Sequence, residues 1–159
     1  MNSPTHTTPP DKRHTLRPLD LDLLTRLREK HHRQCHACSH QSLRLEFETD
    51  GVDTLIGRIT PPQELCSYPN VLHGGIISLF IDEAMTCCLM GHGVLGLTGE
   101  LSLRFHQSVE TCQLLEIKTR VIHARRPLYQ LESHLSQNGN IMVSAKAKFM
   151  QKPDQTSLT

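Results

Sequence analysis

Asp82 is the residue whose setting most needs a chemical explanation. It stands in Ile76-Ile77-Ser78-Leu79-Phe80-Ile81-Asp82-Glu83-Ala84-Met85, part of the one long apolar helix that the pattern predicts, from Gly74 to about Met90. At about 100° per residue, Gly75, Ser78, Asp82 and Thr86 fall on one strip of that helix, while Ile77, Leu79, Phe80 and Ile81 cover much of the rest. A carboxylate on so apolar a helix must be partnered, protonated or open to a cleft, because desolvating it alone is costly. It is therefore a candidate general base or nucleophile. Nine residues earlier, His73-Gly74-Gly75 opens the helix with two positions that lack a side chain. A ligand atom can approach unpaired backbone N–H groups there, and such a helix start stabilises developing negative charge.

The two features lie too far apart to act together in one chain. Gly74 and Asp82 are separated by eight residues, about 12 Å along a helix axis at 1.5 Å per residue. A carbonyl under attack needs its oxyanion donor and its attacking group each about 3 Å away. A twofold dimer with antiparallel long helices would set the start of one helix beside the middle of the other and create two equivalent composite sites. A homodimer, or a tetramer built from it, is the expectation.

The flanking elements are legible from their periods. Pro18 with Leu19, Leu23, Leu24 and Leu27, acidic residues early and basic ones late, predicts a first helix near 18 to 32. From Ser42 the period becomes two, with Leu43, Leu45 and Phe47 alternating with charge, and Asp50-Gly51 turning into a strand from Thr54 to Ile59. Residues 61–72 read as a linker, and Gly91, Gly93 and Gly96 as helix termination and turns. Four alternating segments follow, near 97–107, 113–124, 128–137 and 140–150, with Asn138-Gly139 as a hairpin turn. The order is an α+β plan: an antiparallel sheet with a long helix lying on it and an extra N-terminal helix.

Composition narrows the function. The 159 residues fit one domain, expected over 17–151 between a disordered arm (1–16) and a flexible tail (152–159). A formal charge of +1, 2 Tyr, 4 Phe and no Trp argue against a nucleic-acid partner. With 37% hydrophobic residues, burial shared between subunits helps fill the core. No apolar run is expected to approach the roughly 18 residues that span a bilayer, so no membrane partner is expected. Met1 to His14 is polar and resembles no secretory signal. Six Cys, two of them adjacent at Cys87 and Cys88, do not form the dense framework of a small secreted domain, which points to reduced thiols and a cytoplasmic location.

On these residues the chain resembles the hotdog-fold acyl-CoA thioesterases, in particular the branch related to the phenylacetate-degradation thioesterases. The resemblance runs from about Cys35 to Phe149. Its most specific parts are His73-Gly74-Gly75 with Asp82-Glu83-Ala84-Met85, and Leu97-Thr98-Gly99-Glu100-Leu101-Ser102-Leu103-Arg104-Phe105. It implies hydrolysis of an acyl-CoA to free acid and coenzyme A, with no cofactor beyond the coenzyme A of the substrate. Asp82 would be the catalytic carboxylate, as base toward water or as a nucleophile forming an anhydride. Gly74 would offer the N–H that polarises the thioester carbonyl, with Gly75 the next candidate, and His73 would support that loop or touch substrate. Thr98 would help hold the water, ahead of Thr86 as an alternative hydroxyl. Two departures stand out: Ser67 occupies the place of an Asn that assists carbonyl polarisation in some relatives, and Cys35-His-Ala-Cys38-Ser39 lacks the Gly of a Cys-x-x-Cys-Gly entry segment.

Plainer readings compete. Glu83, adjacent to Asp82, points elsewhere and is expected in solvent or in a salt bridge. His31, His32, Cys35, His36, Cys38 and His40 have some zinc-ligand character, but the spacing does not choose four convergent ligands, so free thiols and no metal are the expectation. Arg104, Arg125, Arg126, Lys146 and Lys148 suit either coenzyme A phosphates or solvated sheet edges. The rival functions are a hotdog protein that binds acyl-CoA or acyl carrier protein without turnover, and a hydratase or dehydratase, whose usual His and acid on separate segments His73 does not match.

Overall fold

A computed structural model describes residues 16–153 of the chain. Residues 1–15 of the arm expected over 1–16 and residues 154–159 of the tail expected over 152–159 lie outside them; Leu16 packs against the core and the Lys152 N–H donates to the Leu95 carbonyl at 2.8 Å.

The first helix, α1 (Leu21–His31), starts later than the pattern predicts because Asp20 caps it: its carboxylate accepts from the Asp22 and Leu23 N–H groups at 2.9 and 3.0 Å. Leu24 and Leu27 are its buried face. A four-residue helix, α2 (His36–Ser39), follows. The strand predicted from Ser42 begins only at Glu46, because Gln41–Leu43 winds into a 3₁₀ turn that buries Leu43. Strand β1 (Glu46–Thr49) then pairs with β2 (Leu55–Ile59). Their connection is a wider loop than Asp50-Gly51 alone, since Asp50 Oδ1 gathers the N–H groups of Val52, Asp53 and Thr54.

The predicted linker is structured. It holds a 3₁₀ turn (Gln63–Leu65) and a small hairpin, β3 (Cys66–Tyr68) with β4 (Val71–Leu72). Asn70 makes that turn at φ 63°, a conformation its side chain tolerates. The hairpin delivers the chain to α3 (Gly74–Gly91), which packs on the sheet with Ile77, Phe80, Ile81, Ala84, Met85 and Leu89 in the core. At 18 residues α3 is long and apolar enough to cross a membrane by length and composition, contrary to the expectation that no run approaches that length; here most of it is buried against the sheet and α1.

Strands β5 (Gly96–Phe105), β6 (Leu115–Arg125), β7 (Leu128–Gln137) and β8 (Asn140–Gln151) complete a six-stranded antiparallel sheet in the order β1-β2-β6-β7-β8-β5. Asn138 and Gly139, at φ 52° and 79°, form the expected tight hairpin between β7 and β8. The long helix wrapped by the antiparallel sheet is the hotdog arrangement, with α1 as the extra N-terminal helix. Strand β5 is an edge of the sheet, joined among the described residues only to β8, and it leaves Leu97 and Phe105 exposed.

Gly96 sits where β5 passes under α3. An added Cβ there would lie 2.9 Å from Leu89 Cδ1 and 3.3 Å from Phe149 Cδ1, both fully buried side chains with nowhere to move. Gly96→Val, although it raises strand propensity, is expected to destabilise the protein by about 1–3 kcal/mol through overpacking. Urea unfolding checks this through a lower midpoint at unchanged slope.

Candidate active site

The start of α3 is built by its own capping residue. His73 is extended (φ −63°, ψ 130°), and its Nδ1 accepts the Gly75 N–H at 2.9 Å. Its carbonyl accepts from Ile76 and Ile77 at 2.9 and 3.1 Å. Gly75 is therefore not a free donor, whereas the Gly74 N–H has no protein partner among the described residues. Beside Gly74 lies an open cleft of about 400 Å³ walled by Ser67, Tyr68, Ile77, Phe105, His106 and Val109. Phe105 approaches closest, with Cζ 3.8 Å from where a Gly74 Cβ would stand. Sequence reasoning did not single out Phe105 as a wall of this site; its end-of-strand position opposite the helix start is visible only in three dimensions.

Asp82 is half-buried on α3. Thr98 Oγ1 donates to its Oδ1 at 2.7 Å, leaving Oδ2 without a hydrogen bond to the described residues. Thr98 reaches it because the pairing of β5 with β8 slips between Thr98 and Glu100, where Gly99 forms a bulge that re-aims the strand. Burial pushes the Asp82 carboxyl above its usual range; the Thr98 hydrogen bond opposes this, neighbouring Glu83 adds to it and His32 lowers it. A carboxylate of raised basicity is a better proton acceptor. Thr86, one turn further along α3, is buried and makes no hydrogen bond to Asp82. Ser67 is exposed on the cleft wall near Gly74, some way from Asp82 along the helix.

Of the two roles expected for Glu83, solvent exposure is overturned, while a salt bridge is present, to Arg28. Glu83 is only 5% exposed and points to the opposite side of α3 from the solvent, toward the segment after α1. Cys38 Sγ lies 2.8 Å and Cys87 Sγ 3.2 Å from its Oε1, with Cys35 Sγ 3.7 Å from Oε2 and Arg28 Nη2 at 3.9 Å. Burial first, and then Glu83, push the Cys38 thiol up to about 12. Of the predicted His and Cys cluster, His32, Cys35 and Cys38 converge on this carboxylate. All six cysteines are free thiols. Of the basic residues, Lys148 is held by Glu100 at 2.7 Å, and Arg104, Arg125, Arg126 and Lys146 are exposed.

Within one chain the Gly74 amide and Asp82 are thus displaced along the same helix, as spacing required. The unpaired edge of β5 carries Thr98 and Phe105, one beside each feature.

Comparisons with known proteins bear on the fold. Residues 69–140, which span α3, Thr98 and three further strands, match the family model of the thioesterase superfamily. No curated protein matches the chain in sequence. Among solved structures, a hypothetical thioesterase protein from Streptococcus pneumoniae, determined with coenzyme A, is similar at TM-score 0.64 and 16% identity, over 69% of this chain and 89% of that one. A Streptococcus mutans protein bound to acetyl-CoA gives 0.64 and 15%, over 69% and 89%. The PaaI protein of the Escherichia coli phenylacetic acid degradation operon gives 0.70 and 12%, over 81% and 94%. The chain therefore shares the hotdog fold of these proteins, and its residues 69–140 carry the thioesterase superfamily pattern.

Proposed function

We propose that the chain is an acyl-CoA thioesterase that hydrolyses an acyl-CoA to free acid and coenzyme A. The observation that carries this is the Asp82 carboxylate, half-buried with Oδ1 held by Thr98 at 2.7 Å and Oδ2 open, on the helix that also offers the uncommitted Gly74 N–H. Relatives lend support. The pneumococcal protein has been crystallised with an Asp and a Thr, 16 residues apart, each replaced by Ala; Asp82 and Thr98 have the same separation. Bound coenzyme A and acetyl-CoA in two relatives suit an acyl-CoA substrate here, and the PaaI likeness favours testing aryl acyl-CoAs beside medium chains.

The working unit is a homodimer formed edge to edge at β5, which brings the Gly74 amide of one protomer to the Asp82 carboxylate of its partner. The thioester carbonyl accepts the Gly74 N–H. With Asp82 as base, Oδ2 takes the proton of a water that adds to the carbonyl, and collapse of the tetrahedral oxyanion expels the coenzyme A thiolate. With Asp82 as nucleophile, Oδ2 itself adds, the thiolate leaves an anhydride, and water hydrolyses that in a second step. Both routes need Thr98 to hold one carboxylate oxygen still. The free thiols of all six cysteines suit a cytoplasmic location.

Thr98→Val keeps the shape of the side chain and removes that hydrogen bond, which as a bond to a charged group contributes about 1.5–3 kcal/mol. A kcat lower by about 10-fold or more is expected, with a smaller change in KM. Steady-state kinetics on the best substrate checks it; an unchanged kcat removes Thr98 from the site.

A second reading is a protein that binds acyl-CoA or an acylated carrier protein without turnover, favoured by Ser67 standing where some relatives use an Asn. One experiment separates them: free thiol measured colorimetrically while the purified chain meets short, medium, long and aromatic acyl-CoAs. Catalytic thiol release supports the enzyme. Tight binding with none replaces it with the binding protein.

A further inference from the structure

We propose that His32, Cys35, Cys38 and Glu83 form a structural site for a borderline-soft divalent cation, zinc, that staples the segment between α1 and β1 to the long helix. Their four ligand atoms lie within 4.8 Å of one another, and they are a nitrogen, two sulfurs and a carboxylate oxygen, the donor set of a closed tetrahedral zinc site. Individual separations already suit edges of such a tetrahedron. Cys38 Sγ is 3.7 Å from His32 Nδ1, and Cys35 Sγ is 3.7 Å from Glu83 Oε2, while zinc-to-ligand bonds of about 2.0–2.3 Å place neighbouring donors somewhat under 4 Å apart.

Three further observations point the same way. Glu83 is a nearly inaccessible carboxylate whose ion-pair partner among the described residues is Arg28 at 3.9 Å, a long separation for compensating a buried charge. Zinc with two thiolates, a carboxylate and a neutral imidazole carries one net negative charge, which the Arg28 guanidinium offsets. Second, residues 32–40 contribute a single buried apolar side chain, Ala37, so hydrophobic packing alone does little to hold them on α3. A metal does that work in small, loop-rich elements. Third, an open cleft of about 610 Å³ lined by Arg28, His32, Cys38 and Arg44 supplies an entry path. Cys87 completes the surroundings, with Sγ 3.2 Å from Glu83 Oε1, where it orients the carboxylate from the helix side. Binding releases the two thiol protons of Cys35 and Cys38 to solvent and leaves the metal divalent, so no redox partner is required.

The full chain, purified under reducing conditions without added metal and dialysed extensively, is expected to contain one zinc per chain by elemental analysis. Replacement by cobalt should give a thiolate-to-metal charge-transfer band and the visible bands of tetrahedral coordination. Cys35→Ser and Cys38→Ser should each weaken zinc binding by more than about 100-fold, the upper end of what loss of an outer partner costs. Cys112→Ser, an exposed cysteine elsewhere, should leave it unchanged. Should the Cys38 variant fail to fold, the Cys35 variant and a zinc titration of chelator-treated wild-type protein decide. A wild-type chain with thiols shown to be reduced, no zinc as isolated and no thiolate band on cobalt titration overturns the proposal and leaves a metal-free thiol and carboxylate cluster. Hydrolysis plays no part in these readouts, so they stand or fall apart from the thioesterase assignment.

Discussion

Asp82→Asn is expected to lower kcat by about 10²–10⁴-fold, the usual worth of a positioned general base, while the protein folds as before. The amide is nearly the size of the carboxylate and keeps an oxygen for Thr98 Oγ1, 2.7 Å away. What it loses is the ability to take a proton or to form an anhydride. Because burial holds the Asp82 carboxyl above its ordinary range, the neutral replacement avoids a desolvation cost, and stability should stay level or rise slightly. Circular dichroism and urea unfolding measure the second effect, and steady-state kinetics the first. Because Oδ2 contributes to the attacking step rather than to holding coenzyme A, KM should change far less than kcat. Turnover within a few fold of wild type on every acyl-CoA would remove Asp82 from the chemistry and the hydrolytic mechanism with it.

The second large effect is at the start of the helix. Gly74 is the first residue of α3, where proline is well tolerated, and His73 before it is already extended at ψ 130°, the conformation that a following proline requires. Gly74→Pro thus deletes one N–H while sparing the helix. Removing a single oxyanion donor typically costs about 10²–10³ in kcat, and that loss is expected here. Gly74→Ala is the steric control: it keeps the N–H and sets a methyl at ordinary contact with Phe105 Cζ, 3.8 Å away. A similar loss in both variants would mean that crowding of the cleft, not the amide, is responsible. Co-expressing the Asp82→Asn and Gly74→Pro chains then tests the composite site. In a mixed dimer one site carries both defects and the other carries neither. Random pairing makes half of the dimers mixed, so activity should recover to about a quarter of wild type. No recovery would place both groups in a site belonging to a single chain.

The residues that make these experiments designable are local in sequence. An amphipathic period marks α1, an apolar run interrupted by one acid marks α3, and Asn138-Gly139 marks the β7–β8 turn; each depends only on neighbours within a few positions, and each lies within a few residues of where the pattern put it. The misreadings occur where a distant contact overrode a local pattern. Leu43 and Leu45 alternate as a strand should, yet both are buried around a 3₁₀ turn, because α1 and β2 close over that stretch. The predicted linker folds into a hairpin because Asn70 accepts a left-handed turn and its carbonyl receives the Thr111 N–H at 3.0 Å, from a loop 41 residues away. The predicted long helix reaches membrane length and apolarity against expectation, because its remaining residues are apolar enough to outweigh the interruption at Asp82 and Glu83.

By itself the sequence determined the α+β plan, the helix that carries an acid at its middle and bare amides at its start, and the mismatch of about 12 Å between them, because helical rise and side-chain period follow from covalent geometry alone. Tertiary structure alone decided which donors are free and which are taken. His73 bends back to occupy the Gly75 amide, a bulge at Gly99 turns Thr98 onto Asp82, and Glu83 buries itself against His32, Cys35 and Cys38. Those outcomes depend on which surfaces close over one another, and a hydrogen bond or ligand pair formed between residues 45 positions apart leaves no period in the chain for a reader to detect.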